Sequence, residues 1–372
     1  MKPFGPNELL QDVINKKLCI GCGACIHLCP YFRSYRGRTA MIFPCTKSEG
    51  RCWAYCPKVE VDLDALSQTF FGGPYTKDAL GYYRSIHMSR AGSKAKIKKG
   101  AVQAGGTVSA LMSFALAKGL LDAAVLTGKE GLLPVPRIVT DAREALRVGS
   151  SKYAAAPTLA ALNQAIKEGY KKIGVVGTPC QVLAIARMRT NPMDDPAFVD
   201  PFALVVGLFC TWSIDFRLFE PFLAKRVAIT EITKVDIPPP PSEIMEVYAA
   251  GEKIEIPLGE VRELVPDTCS YCIDMTSEFS DLSVGVLEGR PDMNTLIIRT
   301  ERGERIVNDA VKGGFLVVEA MPAENLEHLA WAAGNKKKRA FVKAGDAGMV
   351  NTSEGTRSYL RVNPRTCADI IG

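Results

Sequence analysis

The residues of this chain best suited to chemistry are its cysteines, twelve in all, and seven of them fall within the first 56 positions. Cys19, Cys22, Cys25 and Cys29 form the run C-x2-C-x2-C-x3-C, with Pro30 directly behind. In iron–sulfur proteins with this spacing the first three thiolates grip one cubane cluster and the fourth reaches a second. Zinc asks instead for four ligands in two separated pairs. Three thiols within seven residues, with Gly21 and Gly23 between them, suit a cluster whose sulfides accept backbone N–H bonds.

The second half of this region, "CTKSEGRCWAYCP", is less regular. Cys52, Cys56 and Pro57 repeat the end of a second ferredoxin run, but its leading cysteines are reduced to Cys45. The crossover rule then gives Cys19, Cys22, Cys25 and Cys56 to one 4Fe-4S cluster and leaves Cys29, Cys45 and Cys52 for another. That second site has three sulfurs, which suits a 3Fe-4S cluster, a 4Fe-4S cluster with a non-cysteine fourth ligand, or no cluster. The insert "YFRSYRGRTAMIFP" between the halves is either a docking element for an electron partner or a solvated loop.

Composition frames what must hold these thiols. Hydrophobic residues make up 47% of the 372 positions and charged residues 23%, a globular balance. No apolar run approaches the roughly 18 residues of a membrane span. The N-terminal stretch lacks a signal-peptide pattern, so a reducing cytoplasm is expected, where cysteines serve as metal ligands rather than disulfides. The net charge of +6 is spread along the chain. "GSKAKIKKG" and "GNKKKRA" lack interleaved aromatics and are expected to be solvated faces, so no nucleic-acid partner is expected. The length implies several units: a ferredoxin-like module at 1–65, an α/β region at 80–235, a continuation at 236–320 and an extension at 321–372.

In the α/β region, "GTVSALMSFALAKG", "TLAALNQAIKEG" and "QVLAIARMR" have helical periodicity, while "DAAVLT", "KKIGVVGTPC" and "FALVVGLFC" read as short apolar strands. The alternation predicts a mostly parallel sheet, whose ligands gather beyond the carboxyl ends of its strands. Cys180 and Cys210 stand at two such ends. Cys269 and Cys272 form a C-x2-C pair after the Pro-rich connector "DIPPPPSE". Alone that pair is ambiguous; grouped with Cys180 and Cys210 it makes one four-sulfur site. Cys367 has no companion. Neither G-x-G-x-x-G after a strand nor a Walker loop occurs. The turn "QAGGTVSAL" could receive phosphate at Gly105, Gly106 and Thr107, with help from Lys152, or it is a plain helix start.

The segments "QAGGTVSALMSFALAKGLLDAAVL", "GSKYAAAPTLAAL", "VVGTPCQVLAIARM", "VGLFC" and "CSYCIDMTSEFSDLSVG" resemble, in this order, the coenzyme F420 hydrogenase/dehydrogenase beta-subunit family, over roughly residues 15 to 315. The resemblance implies an α/β flavin-binding domain beside a ferredoxin-like iron–sulfur module, with FAD as prosthetic group. It implies flavin contacts from Gly105, Gly106, Thr107, Ser109, Ser151, Lys152 and Thr178, and a flavin-proximal 4Fe-4S cluster on Cys180, Cys210, Cys269 and Cys272. It also implies a hydride-carrying cosubstrate, coenzyme F420 or NAD(P)H, and other redox subunits as partners. Hydride exchange with a flavin needs no side-chain acid or base, so no catalytic residue is assigned. A non-catalytic iron–sulfur relay and a zinc scaffold are the rival readings.

Overall fold

The computed structural model describes residues 3–97, 102–239, 242–352, 357 and 359–372. The N-terminal unit is built around its own small core of Leu9, Val13, Ile26, Phe32 and Trp53. The insert between its cysteine runs folds as an antiparallel hairpin, β1 (Phe32–Tyr35) and β2 (Arg38–Met41). Arg36 pairs with Glu220, and Arg38 reaches both Cys19 O at 2.8 Å and Asp215 at 2.7 Å. Tyr35 and Phe43 nevertheless remain exposed. The hairpin is therefore clamped at its arginines and open at its aromatic rings. Strand β3 (Val61–Asp62) leads into the helix Leu63–Phe71, capped by the Asp62 side chain, which accepts from Ala65 N at 2.9 Å.

The main domain contains β4 (Ser85–Ala91), β5 (Ala123–Glu130), β6 (Leu133–Val139), β7 (Ile173–Gly177) and β8 (Phe202–Leu208). A separate antiparallel sheet of β9 (Ile232–Asp236), β10 (Ile244–Ala249) and β11 (Glu252–Pro257) follows, and the chain then returns through β12 (Leu282–Val286), β13 (Asn294–Ile298) and β14 (Leu316–Ala320). The large sheet has the order β14-β4-β13-β12-β8-β7-β5-β6. Its centre, β12, β8, β7 and β5, is parallel, as the sequence predicts, and both flanks are antiparallel. Every residue of β7 is buried, as expected where helices cover both faces of a parallel strand. The helices Thr107–Ala117, Thr158–Lys167 and Pro179–Arg189 lie where periodicity placed them. The Pro-rich connector joins β9 to its neighbour β10, with residues 240 and 241 outside the described set.

The last 50 or so residues close over the N-terminal unit. The helix Ala323–Asp346 is followed by β15 (Val350–Asn351) and β16 (Leu360–Arg361), and β16 pairs in parallel with β3. This overturns one expectation. The run "GNKKKRA" is not simply a solvated face, because Lys336 and Lys337 are 6% and 1% exposed. Their burial is possible because Lys336 donates to Cys210 O and Asp274 O, while Lys337 donates to Asp78 O and pairs with Glu278 at 3.1 Å. Part of "GSKAKIKKG", residues 98–100, lies outside the described residues. Among the described residues no helix is long and apolar enough to cross a membrane.

The Asp215 anchor yields a pH-dependent prediction. Burial pushes this carboxyl up, but hydrogen bonds from Arg217 and Arg38 prevail and hold it well below the usual carboxylate range. A folded-state pKa below the unfolded one contributes stability that is complete at neutral pH and lost as pH falls through the acid range. Asp215→Asn should lower the anaerobic thermal midpoint at pH 7, by an amount corresponding to about 1.5 to 3 kcal/mol for a hydrogen bond to a charged group. Scans from pH 5 down to pH 2 should show the gap to the unaltered chain narrowing, because the contribution is lost only below the ordinary carboxylate pKa of about 3.9. A gap independent of pH would contradict this role for Asp215.

Candidate functional site

Eleven of the twelve cysteines gather into three sets. Cys22 senses the charges of Cys56 and Cys25, while Cys25 senses those of Cys19 and Cys56, so these four thiols face one space. Cys19, Cys22, Cys25 and Cys56 also line a single small cavity whose walls include Leu9 and Val13. Cys52 senses Cys29 and Cys45, giving the three-sulfur set. Cys210 senses Cys180, Cys269 and Cys272. The groupings proposed from spacing are thus the groupings in space. Cys367 packs against the main core, away from all three.

The sets also lie within electrostatic reach of one another. Cys25 interacts with Cys52, and Cys22 with Cys180. The four-thiol set of the N-terminal unit therefore stands between the three-thiol set and the four-thiol set of the main domain.

Local structure explains how each thiol is held. Gly21 and Gly23 adopt φ of 67° and 86°, and a side chain at Gly21 would meet Gly37 O at 1.8 Å. The motif needs glycine there because backbone packs on backbone. Cys180 opens the helix Pro179–Arg189 just past β7. Its predecessor Thr178 is the N-cap in a capping box with Gln181, and the Thr178 hydroxyl lies 3.2 Å from the Cys180 sulfur. Cys210 follows β8, and its N–H donates to Met275 O at 2.9 Å. Asp274 ties the loop behind Cys272 by accepting from the N–H groups of Thr276, Ser277 and Glu278 at 2.7 to 2.9 Å. That accounts for the carboxylate in the C-x2-C-x-D-x3-E block.

The donor chemistry fits iron–sulfur clusters. Burial pushes the Cys56 and Cys180 thiols up to about 12, and those of Cys22, Cys25 and Cys210 well above the ordinary range. Backbone N–H groups offset this in part: Ala24 at Cys22, Trp53 at Cys52, and Lys58 and Val59 at Cys56. N–H donors aimed at sulfur in an apolar wall are what a thiolate-ligated cluster requires. Among the described residues no three His, Cys, Asp or Glu side chains converge tightly enough for a single metal ion.

Of the residues expected at the flavin, Lys152 lines a cavity, and Gly105, Gly106 and Thr107 form the turn that opens the helix Thr107–Ala117. Gly106 caps its helix at φ 76°, and a side chain at Gly105 would meet Ser89 O at 2.8 Å. Thr107 uses its hydroxyl on Ser89 and its N–H on Asn294 Oδ1, while Ser109 is buried within the helix. Thr178 serves the cysteine site, and Ser151 is exposed. Lys152 lines a cavity of about 620 Å³ together with Lys129, Arg137, Arg143 and Arg147, with Asp141 and Glu144 as the acidic members. Its ammonium donates to the carbonyls of Val148, Gly149 and Ser150, and burial, assisted by Lys129, lowers it to about 8. Sequence reasoning missed the other basic groups of this cavity, which β5, β6 and the helix Ala142–Arg147 bring together. It also missed Lys58, Arg187 and Lys336, which stand beside the cysteines.

Comparison with known proteins bears on these sites. Residues 88–163 and 170–324 match the models for the N-terminal and C-terminal parts of the coenzyme F420 hydrogenase/dehydrogenase beta subunit, and residues 12–31 match a 4Fe-4S binding domain. The chain is 30% identical over 254 residues to the coenzyme F420 hydrogenase subunit beta of Methanothermobacter thermautotrophicus, covering 67% of this chain and 88% of that protein. It is also 30% identical over 345 residues to the coenzyme F420-dependent sulfite reductase of Methanocaldococcus jannaschii, which takes in 89% of this chain but only 50% of that longer protein. A chain of the F420-reducing [NiFe] hydrogenase complex from Methanosarcina barkeri shares the fold, with a TM-score of 0.66 and 24% identity over 72% of this chain and 93% of that one.

The thiol grouping predicts that anaerobic reconstitution yields about ten to twelve irons per chain, the range depending on the three-sulfur set. Cys180→Ala should remove about four of them and leave the N-terminal signals in electron paramagnetic resonance intact. Full iron retention in that variant would make Cys180 an ordinary core thiol.

Proposed function

Because the chain belongs to the coenzyme F420 hydrogenase/dehydrogenase beta-subunit family, we propose that it is an FAD and iron–sulfur oxidoreductase subunit. In this reading it passes electrons between a hydride carrier, coenzyme F420 or NAD(P)H, and clusters leading to a partner redox subunit. The observation that carries the proposal is the contiguous series of cysteine sets, from Cys29, Cys45 and Cys52, through Cys19, Cys22, Cys25 and Cys56, to Cys180, Cys210, Cys269 and Cys272. The last set lies past the carboxyl ends of β7 and β8, where α/β sheets bind ligands.

A flavin, when bound, supplies the conversion between two-electron hydride chemistry and one-electron cluster chemistry. The basic cavity around Lys152 supports its presence: the volume suits a nucleotide-sized ligand, and its cations suit a pyrophosphate. At the other end of the series, the exposed Tyr35 and Phe43 on and beside the β1–β2 hairpin support a docking surface for the partner subunit, close to Cys45. One observation favours the relay reading instead: Thr107 N–H, expected at a flavin phosphate, is taken by Asn294.

The two readings separate by cofactor analysis. Chain purified without oxygen should release one FAD on denaturation, and its flavin absorbance should bleach with reduced F420 or with NADH. Lys152→Ala should weaken FAD binding by about ten- to a hundredfold, on the strength of a charge-assisted contact. Gly106 is not a useful test position, because its φ of 76° strains any replacement whatever binds there. A flavin-free chain with full iron that binds no added FAD would establish the relay reading.

A further inference from the structure

Two buried lysines stand against the cysteine set of the main domain, each from a different part of the chain. Lys58 follows the Cys56-Pro57 pair of the N-terminal unit and is 2% exposed. It donates to Thr268 O at 3.3 Å and Tyr359 Oη at 2.9 Å, and lies 4.3 Å from the centre of the Tyr359 ring. Lys336 comes from the helix Ala323–Asp346 and donates to Cys210 O at 2.6 Å and Asp274 O at 2.8 Å. Both ammonium groups sense Cys272. Lys58 also senses Cys180, and Lys336 also senses Cys210, Asp274 and Cys269.

A buried cation is costly unless matched by charge. Lys337, next along the same helix, has that match in Glu278. Among the described residues, Lys58 and Lys336 have no carboxylate oxygen as a direct partner; their contacts are carbonyls and a phenol. What faces them instead is four thiols. As thiolates on a cluster these carry more negative charge than the iron–sulfur core cancels, and reduction adds one unit more. The Asp274 carboxylate is near Lys336 but is taken up by the N–H groups of Thr276, Ser277 and Glu278, so the two cations and the thiolate charge face one another.

We propose that Lys58 and Lys336 are the counter-cations of the cluster held by Cys180, Cys210, Cys269 and Cys272, and that they raise its reduction potential relative to the N-terminal clusters. This rests on the cluster reading above. At the N-terminal four-thiol set the guanidinium cations are matched by carboxylates: Arg38 donates to Cys19 O but also to Asp215, and Arg187 acts on Cys56 with Glu60 at hand. Lys58 lines the cavity of that set too, so it stands between the two four-thiol sets, while Lys336 belongs to the main-domain set alone. Placing the cations on the main-domain set favours electrons residing there. Because Lys58 belongs to the N-terminal unit and Lys336 to the C-terminal helix, the potential also depends on those two parts being docked.

The test is a mediated redox titration of the full, reconstituted chain, followed by electron paramagnetic resonance, for Lys58→Met, Lys336→Met and Lys336→Arg. Each Met variant should keep full iron and shift the main-domain cluster's potential downward, lowering its reduced-to-oxidised ratio at fixed potential at least tenfold, or about 59 mV for one electron. In Lys336→Met the other clusters should not move, whereas Lys58→Met should also shift, by less, the cluster of Cys19, Cys22, Cys25 and Cys56, whose cavity Lys58 lines; Lys336→Arg should restore the position. Loss of about four irons in Lys336→Met with retention in Lys336→Arg would overturn the proposal in favour of a structural role, since Arg keeps the N–H donors to Cys210 O and Asp274 O that Met lacks. An unchanged potential with full iron in both Met variants would overturn it, as would equal shifts in Met and Arg. Cys180→Ala serves as the control: if it loses no iron, the cluster reading itself has failed, a result distinct from an unmoved potential.

Discussion

Everything in this molecule depends on keeping sulfur anions inside a protein. A thiolate removed from water loses its solvation, and burial pushes the thiols of Cys22, Cys25, Cys56, Cys180 and Cys210 strongly toward the protonated form. Two devices in the structure act against this, backbone N–H groups turned toward sulfur and buried cations close by, and the proposed clusters would supply a third. The glycines of the first motif and the tight loop after Cys272 serve the first device. The N-terminal loop behind Cys56 and the long C-terminal helix serve the second.

This requirement also explains why the chain closes on itself. The N-terminal unit and the C-terminal segment are far apart in sequence, yet β3 and β16 pair, Lys58 meets Tyr359, and Arg361 meets Glu60 at 2.5 Å. Arg187, from the helix that Cys180 opens, donates to Ala54 O and Glu60 O in the N-terminal unit. The main-domain cysteines and the N-terminal cysteines are thereby locked together. Short separations between successive one-electron centres are what such a series needs.

Much of this was legible in the sequence, for identifiable reasons. The first cysteine run is local, so its spacing fixes which thiols can meet. The strands "IGVVG" and "FALVVGL" are largely buried on both faces and announce themselves as apolar runs, which places Cys180 and Cys210 at strand ends. Other features were hidden because their causes are distant in sequence. Lys336 looks like a surface residue until Cys210 and Asp274, more than 60 positions away, supply its hydrogen bonds. The basic cavity around Lys152 needs residues from β5 and β6 as well as from the helix Ala142–Arg147. The antiparallel flanks of the sheet are set by which strands become neighbours, a matter of topology that no short segment records. The Gly-Gly-Thr turn invites a phosphate reading, and what the sequence does not show is that its glycines also pack against Ser89, Ile97 and Asn294.

The central claim is that the three cysteine sets hold neighbouring redox centres that communicate as one series. The most direct test is electron paramagnetic resonance of the fully reduced chain, compared with samples reduced only partly. Neighbouring paramagnetic clusters should give a broadened, split spectrum from spin coupling, resolving into simpler signals when only one centre is reduced. A fully reduced spectrum equal to the sum of isolated, uncoupled signals would contradict the account.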